Sequence, residues 1–96
     1  MVAGTQRVLF AEDDRFLRRA GEAALQRCGL GVILAADGDE ALALARRERP
    51  DLVVLDMQMP NRSGIEVLRE LRAHPDTRDL RVLILSGLLS VLKRAR

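Results

Sequence analysis

Aromatic side chains are nearly missing. The 96 residues hold two phenylalanines, Phe10 and Phe16, and neither tyrosine nor tryptophan. Without faces on which bases can stack, the chain is a poor fit to single-stranded nucleic acid. Cysteine is as scarce: Cys28 stands alone, which excludes an internal disulfide. Its apolar helical position predicts a buried thiol in a reducing cytoplasm. The N-terminus lacks the basic start and apolar core of a secretory signal. No apolar run reaches the length of about 18 residues that a membrane span needs. Lysine occurs once, as Lys93. The net charge of +2 is too small to call for a nucleic-acid or membrane surface.

What remains is an ordinary globular composition, 48% hydrophobic and 31% charged, of a size for one domain over residues 1–96. Short apolar runs alternate with stretches of helical period. "RVLFA" (7–11), "VILAA" (32–36), "LVVLD" (52–56) and "RVLILS" (81–86) read as strands. Between Arg15 and Cys28, Phe16, Leu17, Ala20, Ala24, Leu25 and Cys28 recur at helical spacing, and Gly29 and Gly31 supply the stop. A second amphipathic helix spans Asp39 to Glu48, and a third opens at Ser63-Gly64 and stops near His74-Pro75. "GLLSVLKRAR" follows as a partial helix. Strands separated by helices cannot pair as hairpins, so the order predicts an α/β fold with a parallel sheet and helices on both faces.

In such folds ligands bind beyond the carboxyl ends of the strands. Three of these ends are polar: Glu12-Asp13-Asp14, Asp56 and Ser86. If the first and third strands are neighbours, Glu12, Asp13 and Asp56 converge. Clustered carboxylates repel one another, and a hard divalent cation such as Mg2+ relieves them. Carboxylates with Mg2+ point to phosphoryl chemistry, with Asp56 as nucleophile and the Ser86 hydroxyl donating to the transferred group. Taken alone, the acids after the first strand also fit a solvated turn, with Asp14 as the N-cap of the first helix. His74 fits a helix-end or surface residue better than a phosphate donor.

"VLFAEDD", "LVVLDMQMPNRSG" and "VLILSG", in this order, resemble the receiver domain of bacterial two-component response regulators, of the chemotaxis type. The likeness runs over residues 7–87, with 88–96 an atypical tail. It implies a flavodoxin-like three-layer α/β/α sandwich with strand order 2-1-3-4. It implies Asp56 as the phosphoacceptor and Asp13 and Asp56 as Mg2+ ligands. It further gives the metal the Gln58 backbone carbonyl, and Glu12 through water. Ser86 is the hydroxyl that contacts the phosphoryl group. The implied partner is a histidine kinase or phosphotransfer protein, and the implied role is a cytoplasmic switch without turnover of its own. An aspartyl-phosphate hydrolase would want a second acid where Gln58 stands.

The sequence departs from that family near its end. A receiver continues into a fifth strand that closes on a lysine followed by proline, and then into a fifth helix. Lys93 has no proline after it and does not match. The expectation is therefore a receiver truncated before strand 5 and helix 5, with its strand-4 edge open. A homodimer, by edge pairing or by exchange of the C-terminal segment, would cover that edge. An alternative is a receiver-derived dimerisation module that no longer performs phosphotransfer. Neither reading includes direct binding to nucleic acid or to a membrane.

Overall fold

A computed structural model describes residues 5–85. Seven elements alternate along them: β1 (Arg7–Ala11), α1 (Arg15–Arg27), β2 (Gly31–Ala35), α2 (Gly38–Glu48), β3 (Leu52–Asp56), α3 (Gly64–Ala73) and β4 (Arg81–Leu85). The strands run parallel in the order β2-β1-β3-β4. The parallel α/β sheet is what the alternating pattern predicts, and its strand order is the one the resemblance implies. Ser86, the tail 88–96 and any exchange of the C-terminal segment lie outside the described residues.

Local chemistry starts each helix where the sequence suggests. The Asp14 carboxylate accepts from Leu17 N at 3.0 Å and caps α1. Asp37 accepts from Glu40 N at 2.8 Å, while Glu40 Oε1 accepts in return from Ala36 N at 2.6 Å. Ser63 and Glu66 form a full capping box at the start of α3. At the far end of α1, Gly29 takes a positive φ of 83°, a backbone conformation that glycine adopts without strain.

The two faces of the sheet are packed differently. Leu9, Val53 and Leu55 point to one side, where Leu42, Val67 and Leu71 of α2 and α3 close over them. Val8, Phe10 and Val54 form a smaller cluster on the other side, beside α1. There the apolar stripe of α1 is largely uncovered: Leu17 is its one buried residue, and Phe16 is 63% exposed. The period told which side of α1 is apolar; nothing among the described residues packs over its far half.

Cys28 corrects the expectation of a buried thiol. It is exposed. The residue is the C-cap of α1, where the chain leaves helical geometry and its N–H turns back to Leu25 O at 3.1 Å. The strand boundaries differ at one place as well, since β2 begins at Gly31 and ends at Ala35. Gly31 pairs with Arg7, and its N–H reaches Gln6 O at 2.9 Å. The capping bond to Glu40 removes Ala36 from the ladder.

Candidate functional site

The site is built on the two central strands. Ala11 of β1 is in register with Leu55 of β3, so the next residues, Glu12 and Asp56, emerge side by side. Carboxylate oxygens of Glu12, Asp13 and Asp56 lie within 4.8 Å of one another. Glu12 and Asp56 are completely buried, whereas Asp13 reaches solvent. At that spacing each charged pair repels by about 3 kcal/mol or more, for an effective dielectric constant of about 20. Three hard oxygen donors at one point form a set that suits a divalent cation of the Mg2+ or Ca2+ kind.

The acidic turn is held from several directions. Glu12 N donates to Ala35 O at 3.0 Å, which ties the end of β1 to β2. Glu12 Oε2 accepts from Asp14 N at 2.7 Å. The Arg18 guanidinium donates to the carbonyls of Glu12 and Asp13 at 2.9 and 3.2 Å. A cation one turn into α1 thus fixes the main chain of the acidic residues. Asp14, turned away to cap α1, serves structure, as its cap position suggested.

The loop after β3 is equally constrained. Met57 N donates to Leu85 O at 3.2 Å, and Gly64 N donates to Met57 O at 2.9 Å. A Cβ on Gly64 would stand 2.6 Å from the Asp56 carbonyl oxygen, so only glycine lets α3 start this close to Asp56. Gly38 does the same for α2: a Cβ there would meet Arg62 O at 2.3 Å. Arg62 bridges Asp39 at 2.7 Å and Glu70 at 3.5 Å, joining α2, the loop and α3. Its bond to Asp39 raises the Arg62 pKa further above the ordinary value. Hydrogen bonds from Ser63, main chain first and hydroxyl second, hold the Glu66 carboxyl below its ordinary value.

Glu12, Asp13 and Asp56 therefore come together as their positions at the strand ends suggest. Gln58 is exposed in the loop two residues beyond Asp56. Leu85, in register with Asp56, is the last described residue of β4, and Ser86 lies outside the described part. His74 caps α3 and stands 3.6 Å from Glu70 on the surface, away from the acidic end. Arg18 and the contact beneath Gly64 escaped the sequence reading. An arginine in an amphipathic helix carries no mark that separates it from its solvated neighbours. The Ser-Gly opening of α3 was visible, but its closeness to Asp56 was not.

The family model for the response regulator receiver domain matches residues 8–94. The chain belongs to this family. Receiver domains are the signal-accepting modules of two-component phosphorelay systems, and that is the receiver's place here. The receiver is 44% identical over 88 residues to the response regulator MprA of Mycobacterium leprae, covering 92% of this chain and 38% of that protein. To MprA of Mycolicibacterium vanbaalenii it is 46% identical over the same share of this chain and 37% of the relative. The chain thus spans well under half the length of these curated relatives. Among solved structures, the receiver domain of sensor histidine kinase PA1611 from Pseudomonas aeruginosa, with magnesium in its active-site cleft, superposes with a TM-score of 0.84. It is 30% identical, over 97% of this chain and 76% of that one. The chemotaxis response regulator CheY4 of Vibrio cholerae gives 0.83 at 32% identity, over 96% and 77%. No described helix of the receiver is long and apolar enough to cross a membrane.

Proposed function

We propose that Asp56 is the phosphoacceptor of this receiver, charged by a histidine kinase or a phosphotransfer protein in the cytoplasm. The observation that carries this reading is the convergence of three carboxylate groups within 4.8 Å, two of them fully buried, at the carboxyl end of adjacent parallel strands. Asp56 is the member at the end of β3, where its carboxylate can attack the phosphorus of a phosphohistidine. The new O–P bond forms as the N–P bond breaks, and the imidazole leaves with a proton from solvent.

Asp13, Asp56 and the Gln58 carbonyl would hold Mg2+, with Glu12 acting through water. When bound, the metal supplies positive charge against the phosphoryl oxygens. The chain's own residues do the rest. Arg18 holds the carbonyls of Glu12 and Asp13 in place, and Gly64 leaves the Asp56 main chain room to sit against α3. By the family resemblance, Ser86 would be the hydroxyl that contacts the transferred group. The result is a switch that takes up and loses one phosphoryl group without turning over an external substrate, and it acts through protein partners, a second copy among them.

A second reading is an interaction module that has given up phosphotransfer. The apolar groove beside α1, lined by Phe10, Leu17, Val54 and Leu83, favours it. One experiment decides. Treatment with acetyl phosphate and Mg2+ is expected to add the mass of one phosphoryl group to the native chain and none to Asp56→Asn. An unmodified native chain, with no response to beryllofluoride either, sinks the phosphoacceptor reading.

A further inference from the structure

One residue of α1 holds three successive carbonyls of the acidic turn. Arg18 Nη1 donates to Glu12 O at 2.9 Å and to Asp13 O at 3.2 Å. The main-chain N–H of Arg18 donates to Asp14 O at 2.8 Å, the bond that starts the helix. Bonds from a guanidinium are stronger than those between neutral groups. The position otherwise suits a cation poorly. Arg18 closes the first turn of α1, which carries no acid, although the positive end of the helix dipole favours one. It also stands at a turn whose carboxylates are candidate ligands for a second cation. A guanidinium there works against its own charge, and what it gains is a grip on the main chain.

That grip falls on Asp13. The carbonyls of Glu12 and Asp13 belong to the two peptide groups on either side of the Asp13 Cα. Peptide groups are planar, so a change of φ or ψ at Asp13 swings one of them away from Arg18. The donors of the candidate metal site come from two pieces of chain. On the β3 side, Met57 N bonds Leu85 O and Gly64 N bonds Met57 O, which holds the main chain just beyond Asp56. On the β1 side, Glu12 N bonds Ala35 O, and the next carbonyls are held by Arg18. How far such donors can move decides which cation they suit. Mg2+ takes six oxygens at about 2.0–2.1 Å in a near-ideal octahedron, whereas Ca2+ accepts six to eight at about 2.3–2.6 Å in irregular arrays.

We propose that Arg18 is a positioning residue that tilts the site toward Mg2+ and away from Ca2+, by fixing the main chain on both sides of Asp13. This role rests on the reading of Glu12, Asp13 and Asp56 as a metal site, and on no phosphoryl step. Two effects of Arg18 oppose each other and can be told apart. Its charge disfavours any divalent cation, Mg2+ and Ca2+ alike. Its bonds fix geometry, which Mg2+ demands and Ca2+ does not. Loss of the charge alone would tighten both metals. Loss of the bonds weakens Mg2+ selectively.

The test is a calorimetric titration of the full chain with Mg2+ and, separately, with Ca2+. Arg18→Met keeps the apolar stem and removes both charge and donors. It is expected to bind Mg2+ about tenfold more weakly, the scale on which residues behind metal ligands act, with Ca2+ unchanged or tighter. Arg18→Lys keeps the charge on a shorter stem and should recover part of the lost ratio between the two affinities. Arg19→Met removes a neighbouring charge, one that pairs with Glu22 at 3.2 Å, and should leave the ratio as in the native chain. A native ratio in Arg18→Met overturns the role of Arg18, whether both affinities rise together through charge or fall together as the turn collapses. If Arg18→Met shows no unfolding transition, Arg18→Lys decides: a lowered ratio sustains the role, and a native ratio overturns it. A native chain that binds neither metal sinks the metal-site reading and the role of Arg18 with it. A native chain that binds Mg2+, beside an Arg18→Met chain of equal ratio, sinks the role of Arg18 alone.

Discussion

On one face of the sheet, Leu9, Val53 and Leu55 meet α2 and α3 and are lost to solvent. On the other, Val54, Leu83 and Leu85 overlook a groove beside α1. Both faces grow from the same short strands, and adjacent residues of one strand serve opposite faces. The difference lies in the helices. α2 and α3 contact each other as well as the sheet, so their apolar sides interlock over β1 and β3. α1 leans over β1 and β2, and its stripe continues past them along a groove that reaches β4 among the described residues. The closed face holds most of the buried apolar side chains of the described fold, and the face beside α1 holds fewer.

This contrast can be broken by substitution. Leu71→Ala, on the closed face and fully buried, should cost about 2–5 kcal/mol in chemical denaturation, as a large-to-small change in a packed core. Gly64→Ala should come next, at about 1–3 kcal/mol, because its new methyl group is forced against the Asp56 carbonyl. Its rate of phosphorylation by acetyl phosphate should fall too, because the loop that carries Asp56 must shift. Leu83→Ala, on the face beside α1, should change stability by about 0.5 kcal/mol or less when measured on the monomer. Equal losses at Leu71 and Leu83 would erase the distinction between the faces.

The smallest expected effect depends on pH. Glu66 titrates below the ordinary carboxylate value in the folded chain, so the folded state favours its charged form. The stability it contributes is present above the unfolded-state value and lost as pH falls through the lowered folded value. Glu66→Gln can keep the capping geometry but does not titrate. Unfolding midpoints of the two chains compared from neutral to acidic pH should differ in slope in that acidic window and nowhere else.

The sequence made the strands legible because each is a short apolar run bounded by turn residues, and β1 and β3 match their predicted limits. The acidic end followed from order alone: once β1 lies beside β3, Glu12 and Asp56 must meet. What stayed hidden were relations between elements. Helical spacing placed Cys28 and Phe16 on the apolar side of α1 but could not say whether anything covers that side. The complete burial of Glu12, unusual for a glutamate, depends on β2 and on the turn to Asp14. The grip of Arg18 on two carbonyls depends on the angle at which α1 leaves β1, which no local pattern encodes.

The carboxylates end β1 and β3, the strands that have a neighbour on each side. As thermal motion opens a sheet it frays from its margins, and among the described strands the margins are β2 and β4. Amide hydrogens of Leu9, Phe10, Val53 and Val54 should therefore be among the last to exchange with heavy water, hours after those at the rim. The acidic end keeps its shape through every partial opening that spares these strands, so it should still be assembled in molecules that have already lost their edges.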